Sequence, residues 1–266
     1  MKTFSGLDYI KIDVANNFGQ DKLSWEDRIL WFEFNKEELP FRDDADNKFL
    51  AIKGLHAYHD AMNKIPTGFI MGLDATASGL QIMAALSGCH KTASAVNLIN
   101  TGKREDVYTV VAEKMNELLP ASEAVCRKIV KKPIITKYYN KARPDGLTAA
   151  QEEAFTEVLS DAFSGAKDVM EIINDCWDQH ALFHQWTLPD GHVAHVLVEE
   201  KDTKRLEIDE LGVTVSYVFN NNKPSKRSTS LCPNVIHSID GYIVREMVRR
   251  ANKLGFRLVH IHDSFI

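Results

Sequence analysis

Phe69-Ile-Met-Gly-Leu-Asp74-Ala-Thr-Ala-Ser-Gly-Leu-Gln-Ile-Met-Ala-Ala-Leu-Ser-Gly88 runs an apolar segment into a carboxylate and then into an amphipathic segment. Residues 69–73 are apolar apart from Gly72, which predicts a strand ending at Asp74. Ser78-Gly79 opens a helical pattern of Leu80, Ile82, Met83 and Leu86, and Gly88 closes it. A carboxylate held at a strand end and facing a groove suits a divalent cation, which takes hard oxygen donors. Aspartate is also common in turns and caps, so one acid alone decides little. A second acid stands at the far end of the chain. Phe256-Arg-Leu-Val-His-Ile-His262-Asp263-Ser-Phe-Ile266 is again a strand-like run ending in an aspartate. Two such acids fit two-metal phosphoryl transfer, in which the cations sit roughly 3.5–4 Å apart.

The 266 residues suffice for one large or two small domains with a substantial core, and 44% hydrophobic with 26% charged residues is a globular balance. No apolar run approaches the roughly 20 residues of a membrane span, and no secretory apolar region follows Met1-Lys-Thr-Phe-Ser, so a cytoplasmic protein is expected. The four cysteines, Cys89, Cys126, Cys176 and Cys232, lack C-x-x-C spacing and are expected to be reduced, buried thiols. A net charge of −5 disfavours nucleic acid as a partner on bulk charge alone. Its distribution is uneven. Basic residues cluster at 128–143 and at 223–227, and acids at 36–46 and 152–161.

Along the chain, residues 6–23 read as a short mixed stretch. Ser24, with Asp27 three residues on, caps a helix whose Trp25, Ile29 and Phe32 form a core stripe. Asp43 to Asn47 is a polar loop, Phe49 to Met62 a helix, and Lys22 and Lys48 are surface lysines. Asn97 to Gly102 is a turn. Arg104 to Leu119 is an amphipathic helix ended by Pro120, and Ser122 to Tyr139 is a further helix in which Pro133 should introduce a kink. Residues 148–185 read as helical. His180 and His184 there have metal-ligand spacing but lack the companion Glu and third ligand, so no zinc site is expected. Leu188 to Gly191 is a turn, residues 192–198 and 213–219 are two strands joined through a charged segment, and residues 220–227 form a polar tip. Pro233-Asn234 opens the last helix, which Gly255 stops.

Asp74-Ala-Thr-Ala-Ser-Gly-Leu-Gln81, Arg127-x3-Lys131-x7-Tyr139 and Pro233-Asn-x2-His237-Ser-x-Asp240-Gly241 followed by His262-Asp263-Ser264-Phe265 occur in this order. Together they resemble motifs A, B and C of the single-subunit, phage-type RNA polymerases. Lys11 to Gly19 with Asp21-Lys22, Ala95 to Ile99, Asp106-Val-Tyr108 and Leu188 to Gly191 extend the resemblance over nearly the whole chain.

The resemblance implies an α+β, mainly helical fold: the palm and fingers of a right-hand polymerase without its promoter-binding N-terminal domain, thumb or the end of the palm. The corresponding divisions are 1–68, an N-terminal helical part of the palm region; 69–100, palm with motif A; 101–187, fingers with motif B; 188–230, a strand pair and loop; and 231–266, palm with motif C. It also implies the chemistry. Asp74 and Asp263, with the Ala75 carbonyl, hold two Mg²⁺. Arg127 and Lys131, one helical turn apart, grip the triphosphate, and Lys131 protonates the departing pyrophosphate. Tyr139 and His237 select the sugar, and Tyr108 lies beside the incoming nucleotide. Related DNA polymerases carry a glutamate that excludes a ribose 2′-hydroxyl at the position of Gly79, so ribonucleotides are expected here. Asn140 stands where the family usually has glycine, which bears on fingers closure.

The implied partners are a DNA template, an RNA product, nucleoside triphosphates and a second polymerase polypeptide, in a phage-infected host cytoplasm. The chain is expected to end before the return strand of the motif C hairpin. The alternatives are a family-A-like DNA polymerase fragment and a non-catalytic module that binds nucleic acid or another subunit.

Overall fold

Ser5 starts the first helix with a reciprocal cap: its Oγ accepts the Asp8 N–H, and the Asp8 carboxylate accepts the Ser5 N–H. The result is α1 (Gly6–Asn17), where the sequence had read as mixed. Ile10, Ile12 and Val14 alternate as a strand would, but all three are buried on one helix with Ala15. Packing overrides the local pattern. In this computed structural model, residues 3–73, 75–138, 146–226, 230–262 and 264–265 are described. They fall in two compact units, one of Met1–Ala75, Asn100–Arg104 and Ala251–Ile266, the other of Thr76–Ile99 and Glu105–Arg250.

In the first unit, α2 (Trp25–Asn35) is capped by Ser24 as expected, and α3 (Lys48–Met62) by Asn47. Both pack on α1. Val14, Phe18, Phe32, Leu39 and Ala51 make the core. Gly54 lets α1 and α3 approach, since a Cβ there would lie 2.7 Å from Val14 Cγ2. Trp25 departs from the expected stripe. It is exposed and meets Phe4 and Tyr9 edge-on. Arg28 is buried instead, and its guanidinium donates to Asn16 Oδ1 and to the carbonyls of Asp21 and Leu23. Lys22 and Lys48 pair with Asp21 and Asp43.

The second unit holds α4 (Ser78–Ser87), α5 (His90–Ala95), α6 (Val107–Leu118), α7 (Arg127–Tyr138), α8 (Ala149–Ala162) and α9 (Ser164–Asp175). Gly88 ends α4 at φ 64°, the left-handed cap its sequence position implies. Asp106 caps α6, so that helix starts later than Arg104. Helix α7 continues across Pro133. Met83, Val111, Met115, Phe155, Phe163 and Ile236 lie at the centre of the core.

The single helical stretch expected over 148–185 is two helices and a strand. The backbone breaks at Phe163 (φ −129°), whose ring is fully buried, and α9 restarts at once. Residues after Cys176 turn, and β1 (Phe183–Thr187) begins where helix had been read. The apolar residues there are too dispersed to choose between periods of 3.6 and 2.

Strand pairing also differs from expectation. β2 (Val193–Leu197) pairs back onto β1 through the Leu188–Gly191 turn. The charged segment is itself a strand, β3 (Glu199–Ile208), paired along its length with β4 (Val213–Asn222). The turn of this second hairpin is Asp209–Gly212, with Gly212 at φ 60°. Residues 220–222 close the base of the hairpin, so the polar tip expected at 220–227 is not a tip. Charged side chains alternate freely on a strand exposed on both faces, which hides it from a hydrophobic pattern.

Helix α10 (Leu231–Lys253) ends before Gly255 at φ 77°. Leu231, Cys232 and Ile236 are buried, whereas Ile243, Met247 and Leu254 of the expected stripe are exposed. Of the cysteines only Cys232 is buried; Cys126 and Cys176 are exposed and Cys89 is intermediate. Among the described residues no helix is long and apolar enough to cross a membrane.

Candidate functional site

The two ends of the quoted acid-bearing segments meet in the first unit. The Leu73 N–H donates to the Phe265 carbonyl at 2.7 Å, and the Phe265 N–H donates to the Leu73 carbonyl at 2.8 Å. This exchange defines a hydrogen-bonded antiparallel pair. Phe265 belongs to β6 (Ser264–Phe265), which also pairs with β5 (His260–Ile261). His262 takes φ 55° just after β5.

Two expectations are corrected here. The apolar run 69–73 is not a full strand, because its partner is only two residues long and Leu73 alone bridges to it. The final run does have a return strand, so Phe265 is paired on both sides. Asp74 follows Leu73 in the sequence and Asp263 precedes Ser264. Asp74, Asp263 and Tyr139 lie outside the described residues. Ala75, beside Asp74, is half-buried. Among the described residues no group of three or more His, Cys, Asp or Glu side chains is placed to hold a metal.

In the second unit, α6 and α7 bring three expected residues together. Tyr108 lies in the first turn of α6, with Arg127 Cζ 5.3 Å and Lys131 Nζ 5.8 Å from its ring centroid. The i, i+4 spacing therefore puts both cations on one face, against the flat of a ring whose quadrupole attracts them. Tyr108 is only 7% exposed. Burial pushes its phenol above the ordinary range, with Arg127 pulling the other way and Asp106 adding to the rise.

Asp106 went unrecognised as a member of this group. Its Oδ1 accepts the N–H of Tyr108 at 3.1 Å and of Thr109 at 3.4 Å, and its Oδ2 accepts Arg127 Nε–H at 2.7 Å. Burial works to raise its pKa, but the Arg127 hydrogen bond and charge and the two amides outweigh it and hold the carboxyl below its usual range. One carboxylate thus ends a helix and aims a guanidinium. The signal was legible as an N-cap aspartate immediately before the apolar stripe. Its partner, 21 residues away, was not. Arg127 Nη1 and Nη2 make no hydrogen bond among the described residues, and Lys131 makes no ion pair among them. Only Arg127 of the two pairs with Asp106, its side chain is 42% exposed, and Lys131 is exposed.

A third group joins the start of α4 to the third turn of α10. Gly79 stands in the first turn of α4, and its neighbour Ser78 donates through Oγ to Asp240 Oδ2 at 3.3 Å. His237, exposed, lies three residues before Asp240 on the same edge of α10. The hydrogen bond joins neighbours of the expected Gly79 and His237, Ser78 and Asp240. His180 and His184 are not on a helix: His184 lies in β1 and stacks on Trp177 with ring centroids 4.3 Å apart.

The architecture, mainly helical with small antiparallel sheets, is that of a partial polymerase palm and fingers region. The sequence profile described as DNA-dependent RNA polymerase matches residues 2–153. The chain belongs to that family, the phage-type single-subunit polymerases. It is similar to DNA-directed RNA polymerase 1, mitochondrial, of Arabidopsis thaliana, at 25% identity over 98% of this chain and 33% of the relative. DNA-directed RNA polymerase 1B, mitochondrial, of Nicotiana tabacum is 24% identical over 98% and 32%. DNA-directed RNA polymerase 2, chloroplastic/mitochondrial, of Arabidopsis thaliana is 23% identical over the same shares. The chain spans about a third of the length of these relatives.

Proposed function

We propose that this chain supplies the catalytic palm and fingers of a DNA-directed RNA polymerase, adding nucleoside monophosphates from NTPs to an RNA 3′ end on a DNA template. The observation that carries the proposal is the Leu73–Phe265 pairing, which ties the residue before Asp74 to the residue two places after Asp263. The donor set fits the family's metal: two carboxylates and the Ala75 carbonyl are the hard oxygens Mg²⁺ prefers. When bound, two Mg²⁺ ions lower the pKa of the attacking 3′-hydroxyl and steady the leaving oxygen.

The chain's own residues do the rest. Arg127 and Lys131 neutralise the triphosphate, and the Asp106–Arg127 pair presets the guanidinium so that little side-chain freedom is lost on binding. Lys131, which makes no ion pair among the described residues, holds the proton that passes to pyrophosphate. In this reading Tyr139 and His237 select the sugar, and Gly79 leaves room for the 2′-hydroxyl. The divisions 69–100 and 231–266 as palm and 101–187 as fingers belong to this proposal. So do a second polymerase polypeptide and a phage-infected host cytoplasm; the named relatives are organellar.

Primer extension tests it, using an RNA primer on a DNA template and the chain co-expressed with the polypeptides encoded beside it. The unaltered chain is expected to extend with NTPs in preference to dNTPs, and Asp263→Asn to abolish extension. Extension by Asp263→Asn at the unaltered rate dismisses the assignment, and preference for dNTPs moves the chain to the DNA polymerase reading.

A further inference from the structure

The β1–β2 hairpin is fastened to α10 at two points. Trp186 Nε1–H donates to Ser238 Oγ at 2.8 Å. Asp190, in the turn, accepts Arg245 through Nε at 2.7 Å and Nη2 at 3.3 Å, and Arg249 through Nη2 at 3.3 Å. Its other tie is the His192 N–H at 3.2 Å, which shapes the turn. The Asp190 side chain is 3% exposed, and its carboxyl is held well below the usual range, first by the Arg245 hydrogen bond and then by the His192 amide and the arginine charges, against burial.

At about 100° per residue, Ser238, Arg245 and Arg249 fall within roughly 40° of one another on α10. Cys232, Ile236 and Ile239, which pack in the core, lie about 120° to one side. His237 and Asp240 share the remaining edge. A helix gripped on two faces has no freedom to rotate about its axis, and the third edge is then fixed. A carboxylate 3% exposed that is gripped at both oxygens by one guanidinium is geometrically demanding.

We propose that Asp190, with Arg245, is a positioning residue for sugar selection: it sets the rotation of α10 and hence the placement of His237 beside the nucleotide. This rests on the reading of His237 given above.

The test measures the affinities of the full chain for Mg·ATP and Mg·dATP, with melting temperature recorded alongside. Asp190→Ala and Arg245→Ala are each expected to reduce the ATP-over-dATP preference by about tenfold, as His237→Ala does. The double variant Asp190→Ala/Arg245→Ala is expected to lose no more than either single variant, since each removes the same contact. If Asp190→Ala does not fold, Asp190→Asn, which keeps an acceptor for His192, gives the same readout. A preference lost in His237→Ala but kept in both single clamp variants overturns the proposal and leaves the clamp a stability device. A preference kept in His237→Ala overturns the His237 reading itself, and the positioning role with it.

Discussion

Asp106 joins helix formation to the placement of a guanidinium in one carboxylate, because its N-cap bonds fix the side chain that Arg127 then grips. The acid thereby removes part of the positive charge while orienting what remains. Asp13 is a different case. It lies on α1, accepts Asn17 Nδ2–H at 3.2 Å, and burial raises its carboxyl to about 6, against the Asn17 bond and the Lys53 charge. The folded state therefore binds this proton more tightly than the unfolded chain does. Its contribution is fully present below pH ~4 and is lost as pH rises through ~6. Asp13→Asn should raise stability at pH 7 by on the order of 1–2 kcal/mol, allowing for partial solvent screening, and should flatten the slope between pH ~4 and ~6. Urea melts across that range check it, and an unchanged slope contradicts it. At this scale the sequence put Arg127 and Lys131 on one helix face, where the structure has them. It did not disclose that Asp106 pairs with Arg127 or that Arg28 is buried, because such partners depend on where remote helices pack.

Helices with a cap and a stripe were legible: Ser24, Asn47 and Gly88 bound their elements where local chemistry says they should. Elements whose pattern was ambiguous were not. Alternating Ile10, Ile12 and Val14 concealed α1, and β3 was concealed by its charged, mostly exposed side chains. The α8–α9 break has a packing cause that no local rule states. A Cβ on Gly165 would sit 2.3 Å from Cys89 Cβ and 2.5 Å from Ser87 Oγ, so α9 can lie against the end of α4 only with glycine there. Gly165→Ala is expected to cost about 1–3 kcal/mol as the helices are forced apart. Thermal or urea unfolding reads this directly, and a neutral substitution contradicts the close approach.

For the whole molecule, ordered motifs made the family legible before any geometry, since motif order survives where pairwise contacts cannot be read. The fold adds what spacing could not. Leu73 and Phe265 are 192 positions apart yet exchange both backbone hydrogen bonds. That pairing is the ground for proposing that Asp74 and Asp263 serve one metal site. Mn²⁺ binding to the full chain, followed by electron paramagnetic resonance, tests it most directly because it needs neither template nor partner. Asp74→Asn and Asp263→Asn are each expected to weaken the same ions by about tenfold or more, as loss of a charged oxygen ligand should, with the double variant little worse than either. Mn²⁺ bound as tightly by the double variant as by the unaltered chain would contradict the account.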